Sequence, residues 1–304
     1  MKRSDRPSSL APVPDAEVVA GLPDFARDPG TPGAKRGGAP ARPRRRGDWA
    51  TWVDGGIVAA LTAAGLLSPE GPRVFYRALI TGFAGIAGVV LAGAAVVTWV
   101  SERQAERLQG PRHKPALLLR GARDTALAAW VAACLLAWPL SRLQAGLPVG
   151  LTWSLAEAGG ATRTVLQTAA AVVVLDAWLY WKHRLLHTRW LFPFHRAHHV
   201  YRDPTAFAGF AVGPLESLLT FWPVVIWAHP LAVHWAPLYF GLVGGFVGLN
   251  YYLHCGVTSR LLEAVLPRVL LNTSAFHNRH HANAEVNFGE ALTLWDRLCR
   301  TREE

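Results

Sequence analysis

The feature that most limits what this chain can become is the placement of its histidines against its apolar runs. Nine of its twelve histidines fall into four short clusters: His183 and His187; His195, His198 and His199; the lone His254; and His277, His280 and His281. Each cluster borders a long apolar segment. Imidazole is the commonest metal-binding side chain. So many rings at helical spacing, at the ends of membrane-length segments, point to a polynuclear metal site at a membrane surface.

The apolar segments run over about 78–100, 124–144, 164–182, 206–228 and 231–253, with a weaker one at 51–68 interrupted by Asp54, Gly55 and Gly56. Each approaches the roughly 20 residues that a spanning helix needs. Hydrophobic residues make up 51% of the chain and charged residues 17%, which excludes an ordinary soluble enzyme. Trp99, Trp178, Trp181, Trp190, Trp227 and Trp235 sit near segment ends, where interfacial belts form. The sequence therefore predicts an all-α fold, a polytopic membrane bundle with a cytoplasmic, histidine-rich helical cap around a di-metal site. Three regions are expected: a disordered basic Pro/Gly/Arg-rich cytoplasmic tail over 1–48, N-terminal membrane helices over 49–163, and a catalytic region over 164–304. No apolar stretch follows the first charges of the tail, so it does not read as a secretory signal.

Charge sets the expected topology. The net charge of +10 gathers in the tail, which ends in Arg42-Pro43-Arg44-Arg45-Arg46, and in loops such as Arg103 to Arg123. Positive loops stay cytoplasmic. Tail and loop share a side only if 51–68 and 78–100 form a hairpin. The pairs 124–144 with 164–182 and 206–228 with 231–253 then return the chain to that side near His183 and His254. All four clusters should meet there. Nothing resembles a nucleic-acid module, so the basic charge is assigned to topology and anionic lipid. Cys134, Cys255 and Cys299 form no pair of ligand spacing. Cys134 reads as a core residue, whereas Cys255, next to His254, is a minor ligand candidate.

Residues four apart on a helix share a face, so His183 and His187 can clasp one ion. Adjacent His198 and His199, or His280 and His281, point in neighbouring directions and can serve two ions. One HxxHH is weak, but two copies following an HxxxH are specific. His254 is a plausible ninth ligand, and His113, His229 and His234 read as interfacial. Nine imidazoles exceed one ion's capacity and disfavour Mg²⁺ or Ca²⁺; iron, copper and zinc remain open.

These residues resemble the fatty acid hydroxylase / sterol desaturase superfamily of integral-membrane non-haem di-iron enzymes. The likeness extends to Asn287-Phe288-Gly289 and to Leu294-Trp295-Asp296-Arg297-Leu298, with Cys299-Arg300-Thr301 in place of the usual Phe-Gly-Thr. The family's HPxE element stands here as Gly213-Pro214-Leu215-Glu216, without its histidine. The resemblance implies two iron ions per chain held by the nine clustered histidines, and O₂ as co-substrate. It implies hydroxylation or desaturation of an unactivated C–H bond in a sterol, fatty acyl or related lipid. A lipid would enter from the bilayer between the helices ending near His183 and His254, past Phe207, Phe210, Phe221 and Tyr251. With no fused haem module, GxGxxG or ferredoxin pattern, electrons must come from a separate ferredoxin, cytochrome or reductase. Lys182, Arg184, Arg189, Arg196, Arg202 and Arg279 offer a basic surface for it, unless they serve topology alone.

Carboxylates commonly orient ligating imidazoles through the other ring nitrogen. The candidates are Asp176, Asp203, Glu216, Glu285 and Asp296. Ser274 is expected to cap the last histidine helix. The Ala/Arg/Gly-rich usage suggests a bacterial inner membrane. Two other readings stay open: a membrane zinc hydrolase, for which the chain lacks the glutamate of HExxH, and a non-catalytic metal-binding or transport protein.

Overall fold

The computed structural model describes residues 48–104, 107–108, 115–226 and 232–303. The basic tail, His113 and His229 lie outside them. Four helices are long and apolar enough to cross a membrane: Trp49–Leu67, Pro72–Ser101, Leu117–Gln144 and Gly160–Leu186. The first comprises α1 (Asp48–Ala64) and a closing 3-10 turn; α2 is Pro72–Ser101, α3 Pro115–Gln144 and α4 Gly160–Leu186. α1 is unbroken through Asp54, Gly55 and Gly56, and Ser68-Pro69-Glu70-Gly71 turns it into α2. Small residues let α2 and α3 approach closely: Ala78 packs with Ala133 and Ala137 around Phe75, Leu79 and Cys134. Cys134 is thus the buried core residue its surroundings implied.

Beyond α4 the chain shortens its elements. α5 (Phe192–His195) is one turn, followed by 3-10 turns at His198–Val200 and Ala206–Phe210. α6 (Pro214–Ile226) and α7 (Ala236–Leu253) come next, then α8 (Arg260–Val265), α9 (Ser274–Ala282) and α10 (Leu294–Leu298). Two short strands, β1 (Leu151–Thr152) and β2 (His234–Trp235), pair in parallel.

The expected third membrane hairpin is therefore revised. The stretch 206–228 is not one helix. Ala206 and Phe210 fold into a packed turn against Val90 and Ala94 of α2 and Tyr251 of α7. The Thr125 hydroxyl donates to the Phe207 carbonyl at 2.8 Å, fixing that turn to α3. Helix resumes only at Pro214, where the fixed φ of proline suits a first helical position. α7, with 18 residues, falls outside the four membrane-length helices. Of the tryptophans expected at interfaces, Trp99, Trp181 and Trp190 are exposed, and Trp227 lies outside the described residues. Trp178 is turned inward, donating to the Leu219 carbonyl at 2.7 Å.

Candidate metal centre

All four histidine clusters converge. His183 lies in the last turn of α4 and His187 caps its C-terminus; His195 ends α5; His198 and His199 form the following turn; His254 caps α7; and His277, His280 and His281 line α9. α9 is capped by Thr273, whose hydroxyl accepts from the Phe276 amide, and not by Ser274, which is its first residue. Neighbouring Asn272 is fully buried and donates to the Gly289 carbonyl at 2.6 Å.

The nine rings sort into two groups. His183, His187, His195, His199 and His280 form one, and His198, His254, His277 and His281 the other, with candidate ligand nitrogens within 4.8 Å of one another in each. Helical geometry explains the sorting. The i,i+4 pairs 183/187, 195/199 and 277/281 each stay together, while the neighbours 198/199 and 280/281 are split between the groups. Among the described residues both groups are imidazole alone. Cys255 belongs to neither, and its thiol lies 3.2 Å from the Val257 carbonyl.

Outward hydrogen bonds fix which nitrogen faces inward. His183 Nδ1 donates to the Phe288 carbonyl at 2.8 Å, His254 Nδ1 to that of Asn250 at 2.9 Å, and His280 Nδ1 to that of Val286 at 2.7 Å. A neutral imidazole carries one proton. The Nε2 atoms of these rings are therefore bare lone pairs, aimed at the interior. His183 Nε2 faces His195 Nε2 at 3.2 Å, and His195 likewise directs Nδ1 outward, 2.8 Å from Glu216 Oε2. Facing ring nitrogens at this distance can share a metal ion or a proton. Burial also holds the imidazoles neutral: His195, His198, His199, His277 and His281 lie well below the ordinary range, and His254 and His280 are lowered to about 4. Neutral rings are what a metal requires, so this donor set fits metal ions.

The surrounding carboxylates divide by position. Glu216 alone of the five candidates is hydrogen-bonded to a clustered ring. Burial pushes its carboxyl up to about 8, while the Lys182 ammonium favours the anion. Asp296 acts one step away: it accepts from the Phe288 and Gly289 amides at 2.9 and 2.7 Å and so sets the loop whose carbonyl holds His183. Asp176 accepts from the Leu292 amide at 2.9 Å. Asp203 lies half-buried after His199, and Glu285 is exposed. Lys182 is not part of a docking surface: it is buried, 2.7 Å from Glu290 and 2.9 Å from the Thr220 hydroxyl. Glu290, Asn250 and the Phe288 and Val286 carbonyls went unseen in the sequence. Gly209 was also missed; a β-carbon there would strike the Asn250 side chain and come within 3.2 Å of His254 Nδ1.

A cavity of about 550 Å³ with almost wholly apolar walls lies between α4 and α7. Leu179, one turn before His183, and Tyr252, two residues before His254, line it. Gly241, Gly245 and Gly248 of α7 leave room where side chains would intrude. Phe210 and Phe221 line it as expected. Tyr251 instead donates to the Val90 carbonyl of α2 at 2.9 Å, and Phe207 packs in the same α2 cluster.

Comparison with known proteins agrees with this architecture. The fatty acid hydroxylase family model matches residues 168–301. Lathosterol oxidase of Rattus norvegicus is 32% identical over 138 residues, 44% of each chain. Lathosterol oxidase of Homo sapiens is 30% identical over 146 residues, 46% of each chain. A Delta(7)-sterol 5(6)-desaturase of Aspergillus fumigatus is 30% identical over 144 residues, 44% of this chain and 37% of that protein. The chain thus spans less than half the length of these relatives. No solved structure matches it. Residues 168–301 take in most of α4 and the histidine-bearing elements that follow it. This stretch is similar to the fatty acid hydroxylase / sterol desaturase superfamily.

Proposed function

We propose that this chain is a membrane-bound di-iron oxidoreductase that uses O₂ to hydroxylate or desaturate an unactivated C–H bond of a lipid. The observation that carries the reading is the convergence of nine buried imidazoles into two groups whose inward nitrogens include bare lone pairs. Nitrogen-only donor sets suit iron, copper or zinc, and the superfamily favours iron. An iron pair held by these histidines would supply O₂ activation, chemistry no acid or base here could perform. The relatives named as sterol enzymes favour a rigid, largely apolar substrate.

The chain's own residues do the rest. Glu216 and the Phe288, Val286 and Asn250 carbonyls hold the rings in one orientation. The apolar cavity excludes water and admits lipid from the side, between α4 and α7. The positive charge of Arg103, Arg107, Arg120 and Arg123 supports a cytoplasmic centre, where a separate electron donor would reach it. A zinc hydrolase needs a carboxylate poised at the metal, and neither group contains one among the described residues.

The test is reconstitution in lipid vesicles with iron and a reducing donor. O₂ uptake matched by a hydroxylated or newly unsaturated lipid is the expected result. Ester or amide cleavage without O₂ uptake would replace this reading with the hydrolase. Lipid profiling of a deletion strain would then name the substrate.

A further inference from the structure

We propose that Asp54, on the first membrane helix, is a positioning residue for the metal centre, acting by capping the helix that carries Glu216. This rests on reading the histidine cluster as a metal site. α1 lies outside residues 168–301, yet it is seated on the centre's frame. The Trp49 ring meets Phe194 edge-on at 5.0 Å. Ala50 packs with Leu186 and Phe194, the residues that precede His187 and His195. An aspartate on a membrane helix is expensive, and its partner usually reveals its purpose.

That partner is the start of α6. The first amides of a helix have no acceptor within it, and a side chain at the preceding position normally supplies one. Here that position is Gly213, which has no side chain. Asp54 supplies the acceptor from another helix: its Oδ1 takes the Leu215 amide proton at 2.9 Å. A carboxylate there also opposes the positive end of the helix dipole. The next residue is Glu216, whose Oε2 meets His195 Nδ1 at 2.8 Å. Two short links therefore run from Asp54 to a ring of the five-histidine group. Gly213 keeps the seat open, since a β-carbon there would stand 3.2 Å from Asp54 Oδ2 and 3.2 Å from the Phe194 carbonyl. Losing the cap frees the first turn of α6 and lets Glu216 leave His195.

The experiment compares full-length wild type, Asp54→Ala and Asp54→Asn, each loaded with iron in detergent and challenged with a chelator. Mössbauer spectra follow the two irons separately. Asp54→Ala should lose iron about tenfold faster, the lower end of what partners of ligating histidines contribute. The loss should appear first in one of the two iron sites. Asp54→Asn keeps an oxygen that can accept from Leu215 and should behave as wild type. Should Asp54→Ala not accumulate, Asp54→Ser, too short to reach that amide, takes its place with the same outcomes. Wild-type retention in the Ala or Ser variant overturns the proposal. So does equal loss from both sites, which would mark general destabilisation, and so does an Asn variant as weak as Ala. A wild type that binds no iron fails earlier, on the reading of the centre itself.

Discussion

Glu216→Ala offers a quantitative check on how the protein holds its histidines. Glu216 and His195 are both buried, and their 2.8 Å contact is the only one between a clustered ring and a carboxylate at hydrogen-bond distance among the described residues. Truncation leaves the His195 Nδ1 proton without its acceptor whenever the ring takes its ligating orientation. A buried donor left unpaired costs about 1–3 kcal/mol. In the metal-free protein the ring can turn away and relieve that cost, so the penalty falls on metal binding. At about 1.4 kcal/mol per factor of ten, this is roughly a 5- to 150-fold loss of affinity. The range overlaps the roughly 10- to 100-fold typical of such partners. Glu216→Gln keeps a carbonyl that can accept from Nδ1 and should lie near the small end. The assay is iron per chain after dialysis against graded chelator. Lys182 keeps Glu290 at 2.7 Å, so no orphaned ammonium confuses the result. An Ala variant that holds iron as tightly as wild type would refute the reasoning.

Other consequences follow from the same geometry. His198→Ala and His280→Ala remove a ring from different groups, so each should abolish turnover while the protein still inserts; full activity in either excludes that residue. Gly245→Leu places a branched side chain in the cavity wall and should raise KM for bulky lipids with iron content unchanged; an unaltered substrate profile would take the cavity out of the pathway. Acid should destabilise the metal-free protein. His254 and His280 are lowered to about 4 in the folded chain, whereas in the unfolded chain they titrate near the ordinary 6.5. The unfolded state then binds more protons between these values, so stability is present above about 6.5 and is lost as pH falls toward about 4. A denaturation midpoint flat across that window would contradict the burial of these rings.

How much was legible in the sequence depended on whether the information was local. The i,i+4 spacing of 183/187, 195/199 and 277/281 follows from helical pitch, and the sorting into two groups follows from it. Glu216 was legible as a candidate, but nothing local ranked it above Glu285, which the fold leaves exposed. The acceptors at Phe288, Val286 and Asn250 were hidden because a backbone carbonyl has no residue signature. Lys182 read as surface charge, since its burial against Glu290 depends on a contact 108 positions away. The stretch 206–213 read as membrane helix because its composition is apolar. Its packing against α2 and α7 could be seen only in three dimensions.

The most direct test of the central claim is elemental analysis joined to Mössbauer spectroscopy on protein purified with its lipid. Two irons per chain are expected, both in nitrogen-rich environments and both lost when His199 and His281 are replaced together. A single zinc, or iron that survives that double replacement, would contradict it.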